Sequence, residues 1–264
     1  MKNLYITSAS RTAVGSLGKS LKNESSEKLG SSVISDVIKK SKLKETEVDE
    51  VIMGQVLTAG SGQNPARQAA VSASIPISKP AYLVNQVCGS GLRAVISGYQ
   101  SIKLGEIKKV ITGGQENMSM APHSILSRYG KKISKDALVD TMIYDGLIDA
   151  LNNYHMGVTA ENVAEKFKIT REEQDMFALN SQKKTQIAFN KKKFDEEIIS
   201  INQNGNIIEK DEHPRINLNI SDLEKLKTVF KKNGTVTPGN SSGINDGAAA
   251  LLLMTQAEAE KKSI

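Results

Sequence analysis

YLVNQVCGSGLRAVISGYQSIKLGEIKKVIT, residues 82–112, packs a strand, a helix and a second strand into one pass of chain. Residues 82–84 (YLV) read as a short buried strand. From Leu92, apolar residues recur at helical spacing: Leu92, Val95, Ile96, Tyr99 and Ile102. Residues 109–112 (KVIT) return as a strand, stopped by Gly113-Gly114. Outward from this stretch the alternation continues. Residues 4–7 (LYIT) and 48–53 (VDEVIM) read as strands. Leu29, Val33 and Val37, with Ile34 and Ile38 beside them, mark a helix between the two. Residues 65–74 (PARQAAVSAS) read as a helix with proline in its first turn. Strands alternating with helices predict an α/β layered domain.

Beyond Met118 the pattern becomes polar, glycine-broken and less periodic. Two capping boxes stand out, Thr170-Arg-Glu-Glu173, which opens a helix running to about Asn190, and Ser221-Asp-Leu-Glu224. The region reads as an inserted, partly irregular subdomain. The apolar run 248–254 (AAALLLM) then reads as a buried strand re-entering the first domain's sheet, and TQAEAEKKSI begins a helix. The expected division is 1–117 for the first part of the N-terminal α/β domain, 118–240 for the inserted loop domain, and 241–264 for the return strand and helix start.

The chain has a single cysteine, Cys88. That excludes an internal disulfide and multi-cysteine zinc or iron–sulfur sites, and fits a reducing compartment. The N-terminus lacks the apolar run of a signal peptide, and no stretch is long enough to cross a bilayer. The expectation is a cytoplasmic protein with no membrane partner. Lys plus Arg exceed Asp plus Glu by 35 to 29, giving +6. This reads either as a lysine-rich surface or as attraction for a phosphate-bearing ligand. The lysines are scattered without interleaved aromatics, which argues against nucleic acid.

Cys88 falls where a strand meets a helix. There, unpaired first-turn N–H groups and the helix dipole favour a thiolate, and Gly89 and Gly91 leave room for a substrate carbonyl. From the residues alone, it reads either as a nucleophile or as a small buried apolar side chain. His123, His155 and His213 are the available bases, and spacing ties none of them to Cys88. Asp211-Glu212 has no metal-ligand spacing, so no metal site is expected. No G-x-G-x-x-G follows a strand. TPGNSSGINDG, residues 237–247, reads equally as an anion cradle or a turn.

The ordered set SASRTAVG, GQNPARQAA, NQVCGSGLRAV, GGQENMSMAPH, MGVTAENVA, DEHPR and GTVTPGNSSGINDGAAA resembles the N-terminal two-thirds of a thiolase. It is most similar to the biosynthetic acetyl-CoA acetyltransferase type. The resemblance implies a thiolase-like fold, a layered mixed sheet with helices plus an inserted loop domain. It implies that Cys88 attacks an acyl-CoA thioester, and that acetyl-CoA units are joined to acetoacetyl-CoA or the reverse. Coenzyme A thioesters would be substrates, with no tightly bound cofactor. Leu147, His155 and Met156 would lie beside the pantetheine, Arg215 would face the nucleotide end, Ser242 would hydrogen-bond the pantetheine arm, and Phe230 would pack near the same ligand. Pro238 departs from the alanine common in relatives.

The resemblance also implies a C-terminal domain with an asparagine motif, a Gly-His-Pro motif and a Cys-x-Gly motif. None of these occurs in the sequence, and Ile264 falls near the expected domain boundary. The complete enzyme would be a homo-oligomer, a dimer or a tetramer, with GGQENMSMAPH near oligomer contacts. Activity would then need a missing or separate C-terminal half, and the helix after Cys88 would expose an apolar face without it. The alternative is an inactive truncated homologue retaining acyl-CoA binding or assembly contacts.

Overall fold

The structure, a computed structural model, describes residues 3–130, 134 and 137–262. The last two residues of the C-terminal stretch read as a helix, Ser263 and Ile264, lie outside the described residues. The principal elements are β1 (Leu4–Thr12), β2 (Gly15–Ser16), α1 (Ser26–Lys40), β3 (Glu50–Gly54), α2 (Pro65–Ser72), β4 (Ala81–Val84), α3 (Ser90–Leu104), β5 (Lys109–Asn117), α4 (Met156–Phe167), α5 (Arg171–Asn190), β6 (Ile198–Ile199), α6 (Ile220–Glu224), β7 (Asn245–Thr255) and α7 (Gln256–Lys261). The fold is mixed α/β, as the sequence predicts. Contacts divide it into two units. One comprises Met1–Thr141, Glu196–Glu212 and Asn245–Ile264, and the other Met142–Asp195 and His213–Ile244.

The first unit is built on a sheet of order β6-β1-β7-β5-β3-β4, with β2 also paired to β7. β7 runs antiparallel to both β1 and β5, whereas β3 is parallel to β4 and β5. Helices α1 and α2 cover one face and α3 lies on the other. Strand alternation assigns the core residues. Val51, Met53, Ile111 and Leu252 pack with Leu29, Val33 and Ala69 on the α1/α2 side. Their neighbours Ile52, Val110 and Leu253 pack with Ala94 and Ile102 on the α3 side. A strand covered on both faces needs no polar alternation, which explains the continuous apolar run in β7.

Several local expectations change. β5 does not stop at Gly113-Gly114 but continues to Asn117. A Cβ at Gly113 would lie 2.0 Å from the Ala249 carbonyl oxygen of β7, so glycine here permits close strand pairing. β4 is an edge strand, and Tyr82 is 37% exposed, so it is not a fully buried strand. The second capping box belongs to Asn219 and Asp222, two residues earlier than Ser221 and Glu224. Helix α4 escaped the sequence reading because its buried positions are Gly157, Glu161 and Ala164, which carry no apolar periodicity.

The apolar spacing of α3 locates the helix, but the sheet-facing side is the small one. Ala94, Gly98 and Ile102 are buried, whereas Leu92 is 68%, Ile96 39% and Tyr99 44% exposed. A Cβ at Gly98 would lie 2.6 Å from Thr112 Cγ2, so the helix sits too close to β5 for a larger residue.

The second unit is held by buried charge as much as by apolar packing. Glu161, 3% exposed, accepts the backbone N–H groups of Thr235 (2.9 Å) and Val236 (2.8 Å) and the Thr235 hydroxyl (3.0 Å). Asp175 accepts from Arg171 Nε at 2.6 Å and from Asn240 Nδ2 at 2.9 Å. The Arg171 guanidinium also donates to the carbonyls of Leu223 and Leu226. Asp175 is thereby paired with Arg171 and Glu161 is satisfied by hydrogen bonds, conditions under which a charge tolerates burial.

Candidate active site

β4 ends at Val84 and α3 begins at Ser90, and the turn between them carries Cys88. The Val87 N–H donates to Asn85 Oδ1 at 3.0 Å, and the Gly89 N–H to the Gln86 carbonyl at 3.0 Å. Cys88 is exposed. That excludes the reading of this thiol as a buried apolar side chain. It stands before the first turn of α3, where helix N–H groups lack intrahelical partners.

Cys88 lines a cavity of about 390 Å³ in the first unit. Gly54, Gly91 and Gly114 give that cavity a wall without side chains, and Arg11, Glu116 and Asp246 supply its charge. Each charged group is already engaged. Arg11 pairs with Asp211 at 2.7 and 3.0 Å and with Glu197 at 2.7 Å. Asp246 accepts the Ser119 N–H at 3.0 Å and its hydroxyl at 2.6 Å. Among the described residues, no histidine lines the cavity. His123 is exposed and stands 4.0 Å from Asp140. Asp211 also accepts the Val14 N–H at 2.7 Å, and Glu212 the Ser16 N–H at 2.9 Å, so this acidic pair is structural.

Burial pushes the Glu116 carboxyl up to about 7, against the N–H groups of Val56 (2.8 Å) and Leu57 (3.2 Å) that favour its charged form. A raised carboxyl stabilises the fold fully below its ordinary value and loses that contribution as pH rises through the raised one. The stability difference between parent and Glu116→Gln is therefore expected to fall by up to about 3 kcal/mol between pH 4.5 and 7. Urea unfolding at pH 4.5 and 7.5 checks this, and an unchanged difference would remove Glu116 as the cause. The sequence reading passed over Glu116 because it took the strand to end before it.

In the second unit, His155 caps α4, its Nδ1 accepting the Gly157 N–H at 2.9 Å. Its ring stacks on Phe230 with centroids 4.8 Å apart and planes 17° apart. A Cβ at Gly157 would lie 2.2 Å from Phe230 Cγ, so this stack requires glycine. The Met156 N–H donates to the Leu147 carbonyl at 2.8 Å. Leu147, His155, Met156 and Phe230 are thus linked by direct contacts. Arg215 is exposed, its N–H donating to Gln182 Oε1 at 2.9 Å and its Nη2 lying 3.5 Å from the Pro238 carbonyl oxygen. Ser242 is exposed, and its hydroxyl donates to the Gly243 carbonyl at 3.0 Å.

The 237–240 segment resolves toward a turn. The Thr237 N–H donates to Asn240 Oδ1, the Gly239 N–H to Thr237 Oγ1, and the Asn240 N–H to the Thr237 carbonyl. These N–H groups serve the turn itself. Among the described residues, no three His, Cys, Asp or Glu side chains converge as a metal site requires, and no helix is long and apolar enough to cross a membrane.

Comparison with known proteins gives a consistent picture. The model of the family "Thiolase, N-terminal domain" matches residues 4–257. An acetyl-CoA acetyltransferase of Rhizobium meliloti (strain 1021) is 50% identical over 266 residues, covering 99% of this chain and 68% of that protein. An acetyl-CoA acetyltransferase of Pseudomonas aeruginosa is 49% identical, with 98% and 68% covered. A probable acetyl-CoA acyltransferase of Staphylococcus aureus (strain COL) is 46% identical, with 100% and 69% covered. With its α/β layers, its exposed thiol at a strand-to-helix turn and a match spanning nearly all its residues, the chain belongs to the thiolase family of acyltransferases.

Proposed function

We propose that Cys88 accepts the acyl group of a coenzyme A thioester. The observation that carries this reading is the exposed Cys88 lining a glycine-walled cavity at the start of α3. In the acylation step, a bond forms between Cys88 sulfur and the acyl carbon, and the bond from that carbon to the CoA sulfur breaks. The proton leaving Cys88 ends on the CoA thiol. In the second step the α-carbon of another acetyl-CoA loses a proton and bonds to the acyl carbon, the bond from that carbon to Cys88 sulfur breaks and the thiol regains a proton, giving acetoacetyl-CoA; thiolysis is the reverse. Leu147, His155, Met156, Phe230, Arg215 and Ser242 are proposed to bind CoA. The apolar and stacked group suits the pantetheine, and the exposed Arg215 suits phosphate.

The proposed proton transfers draw on groups beyond those that line the Cys88 cavity. The cavity around Cys88 has no histidine among the described residues. A histidine, an asparagine and a second cysteine from a further segment or a separate chain are therefore part of the proposal, as is assembly into a dimer or tetramer. The chain alone, given acetoacetyl-CoA and CoA, is expected to show essentially no cleavage, and cleavage is expected once a polypeptide with Gly-His-Pro and Cys-x-Gly motifs is added. Robust turnover without added protein would sink that requirement. The lack of a lining histidine among the described residues equally favours a second reading, a homologue that binds CoA without turnover. Calorimetry bears on the CoA site common to both. Arg215→Ala is expected to weaken CoA binding about tenfold, and no measurable binding by the parent would count against both readings.

A further inference from the structure

The peptide entering Cys88 is held by a side chain that the proposed chemistry does not use. Ser90 is 4% exposed and opens α3. Its hydroxyl oxygen accepts the Gln86 N–H at 2.9 Å, and its hydroxyl donates to the Val87 carbonyl at 2.6 Å. That carbonyl also accepts the Ser90 N–H at 3.0 Å. Between the bridged groups, Val87 has φ +47°. A β-branched residue in the left-handed region is strained, because its Cβ crowds the backbone carbonyl. Such a conformation persists where its surroundings over-determine it. The Val87 side chain is exposed, so apolar packing does not hold it there. The Ser90 hydroxyl bridges the backbone on either side of Val87, whose own N–H donates to Asn85 Oδ1.

The consequence falls on the nucleophile. The Val87 carbonyl and the Cys88 N–H share one rigid peptide plane. A carbonyl fixed by two donors therefore fixes the direction from which the chain enters Cys88, and with it the path of the sulfur. Ser90 is itself seated on β3, because an added Cβ at Gly54 would lie 2.7 Å from Ser90 Cβ.

We propose that Ser90 is a positioning residue for Cys88: its hydroxyl clamps Val87 in the left-handed region and so aims the sulfur into the cavity. The proposal rests on the reading of Cys88 as acyl acceptor only for its purpose, because its test uses a reagent that needs no CoA site. The probe is iodoacetamide alkylation of Cys88 in the 264-residue chain, followed across pH. Ser90→Ala is expected to slow alkylation about tenfold and to move its pH profile. Ser90→Thr, which keeps the hydroxyl, is expected to retain the parent rate. Val87→Gly combined with Ser90→Ala is expected to recover most of the loss, since glycine takes positive φ without a Cβ penalty. A merely structural serine would not be rescued by glycine at position 87. Alkylation of Ser90→Ala within about twofold of the parent overturns the proposal, as does a double variant no faster than Ser90→Ala. Should Ser90→Ala fail to fold, Ser90→Thr and the double variant decide between them, and a slow double variant beside a normal Ser90→Thr overturns it. Normal alkylation responses without acylation by a CoA thioester, in the presence of the polypeptide that carries Gly-His-Pro and Cys-x-Gly motifs, would sink the functional reading and leave the positioning role standing.

Discussion

Replacing Gly54 with alanine is expected to lower stability by about 3 kcal/mol and to displace the Cys88 turn. Gly54 ends β3 directly beneath the first turn of α3. An added Cβ would lie 2.5 Å from the Gly91 nitrogen and 2.5 Å from the Ser90 carbonyl carbon. Both are backbone atoms, so no flexible side chain can swing aside. Either α3 lifts from the sheet or β3 shifts against β4 and β5, which flank it. Lifting α3 moves the nucleophile's turn with it. Urea unfolding and the Cys88 alkylation rate check the two parts together. A Gly54→Ala protein within about 1 kcal/mol of the parent, with unchanged alkylation, would show that the contact relaxes freely.

Glu258→Ala is expected to cost about 3–5 kcal/mol. Lys109 is 8% exposed at the start of β5, and its ammonium lies 2.5 Å from Glu258 Oε2 on α7. Removing the carboxylate leaves that ammonium buried without this partner. Hydrogen bonds from Lys109 and Lys261 hold the Glu258 carboxyl down to about 2. Its contribution is present above its ordinary range and is lost as pH falls through about 2. Below pH 4.5 the parent should therefore lose stability that Glu258→Gln has already lost. Replacing both members, Lys109→Met with Glu258→Leu, is expected to recover most of the loss, because an apolar pair of similar volume carries no desolvation penalty. A Glu258→Ala protein as stable as the parent would place the Lys109 ammonium in water. This carboxyl and Glu116 act in opposite directions and separate windows, one failing in acid and the other as neutrality is approached.

How much of this was legible beforehand differs by element. The strand and helix either side of Cys88 were readable because Leu92, Val95, Ile96, Tyr99 and Ile102 mark the helix, although the side facing the sheet carries Ala94 and Gly98. Periodicity reports that a helix is amphipathic, not which face a sheet will accept, and that depends on how closely the backbones approach. The end of β5 was misplaced for a related reason. Gly113 is usually a strand terminator to a reader of sequence, yet here it is what lets β5 and β7 pair. Helix α4 was invisible because a buried glutamate, Glu161, anchors it through hydrogen bonds rather than apolar contact. At the site, Cys88 was legible from its glycines, whereas the His155–Phe230 stack and the Glu116 cradle join residues 75 and 60 positions apart that no local pattern connects.

The central claim is that Cys88 takes the acyl group. The most direct test is to incubate the 264-residue chain, together with the polypeptide that carries Gly-His-Pro and Cys-x-Gly motifs, with excess acetyl-CoA at mildly alkaline pH and locate acetylation by peptide mass mapping. The account predicts an acetyl group on Cys88 and none at this position in Cys88→Ser prepared identically. Measurable CoA binding without acetyl transfer to Cys88, or equal acetylation of the same peptide in Cys88→Ser, would contradict it.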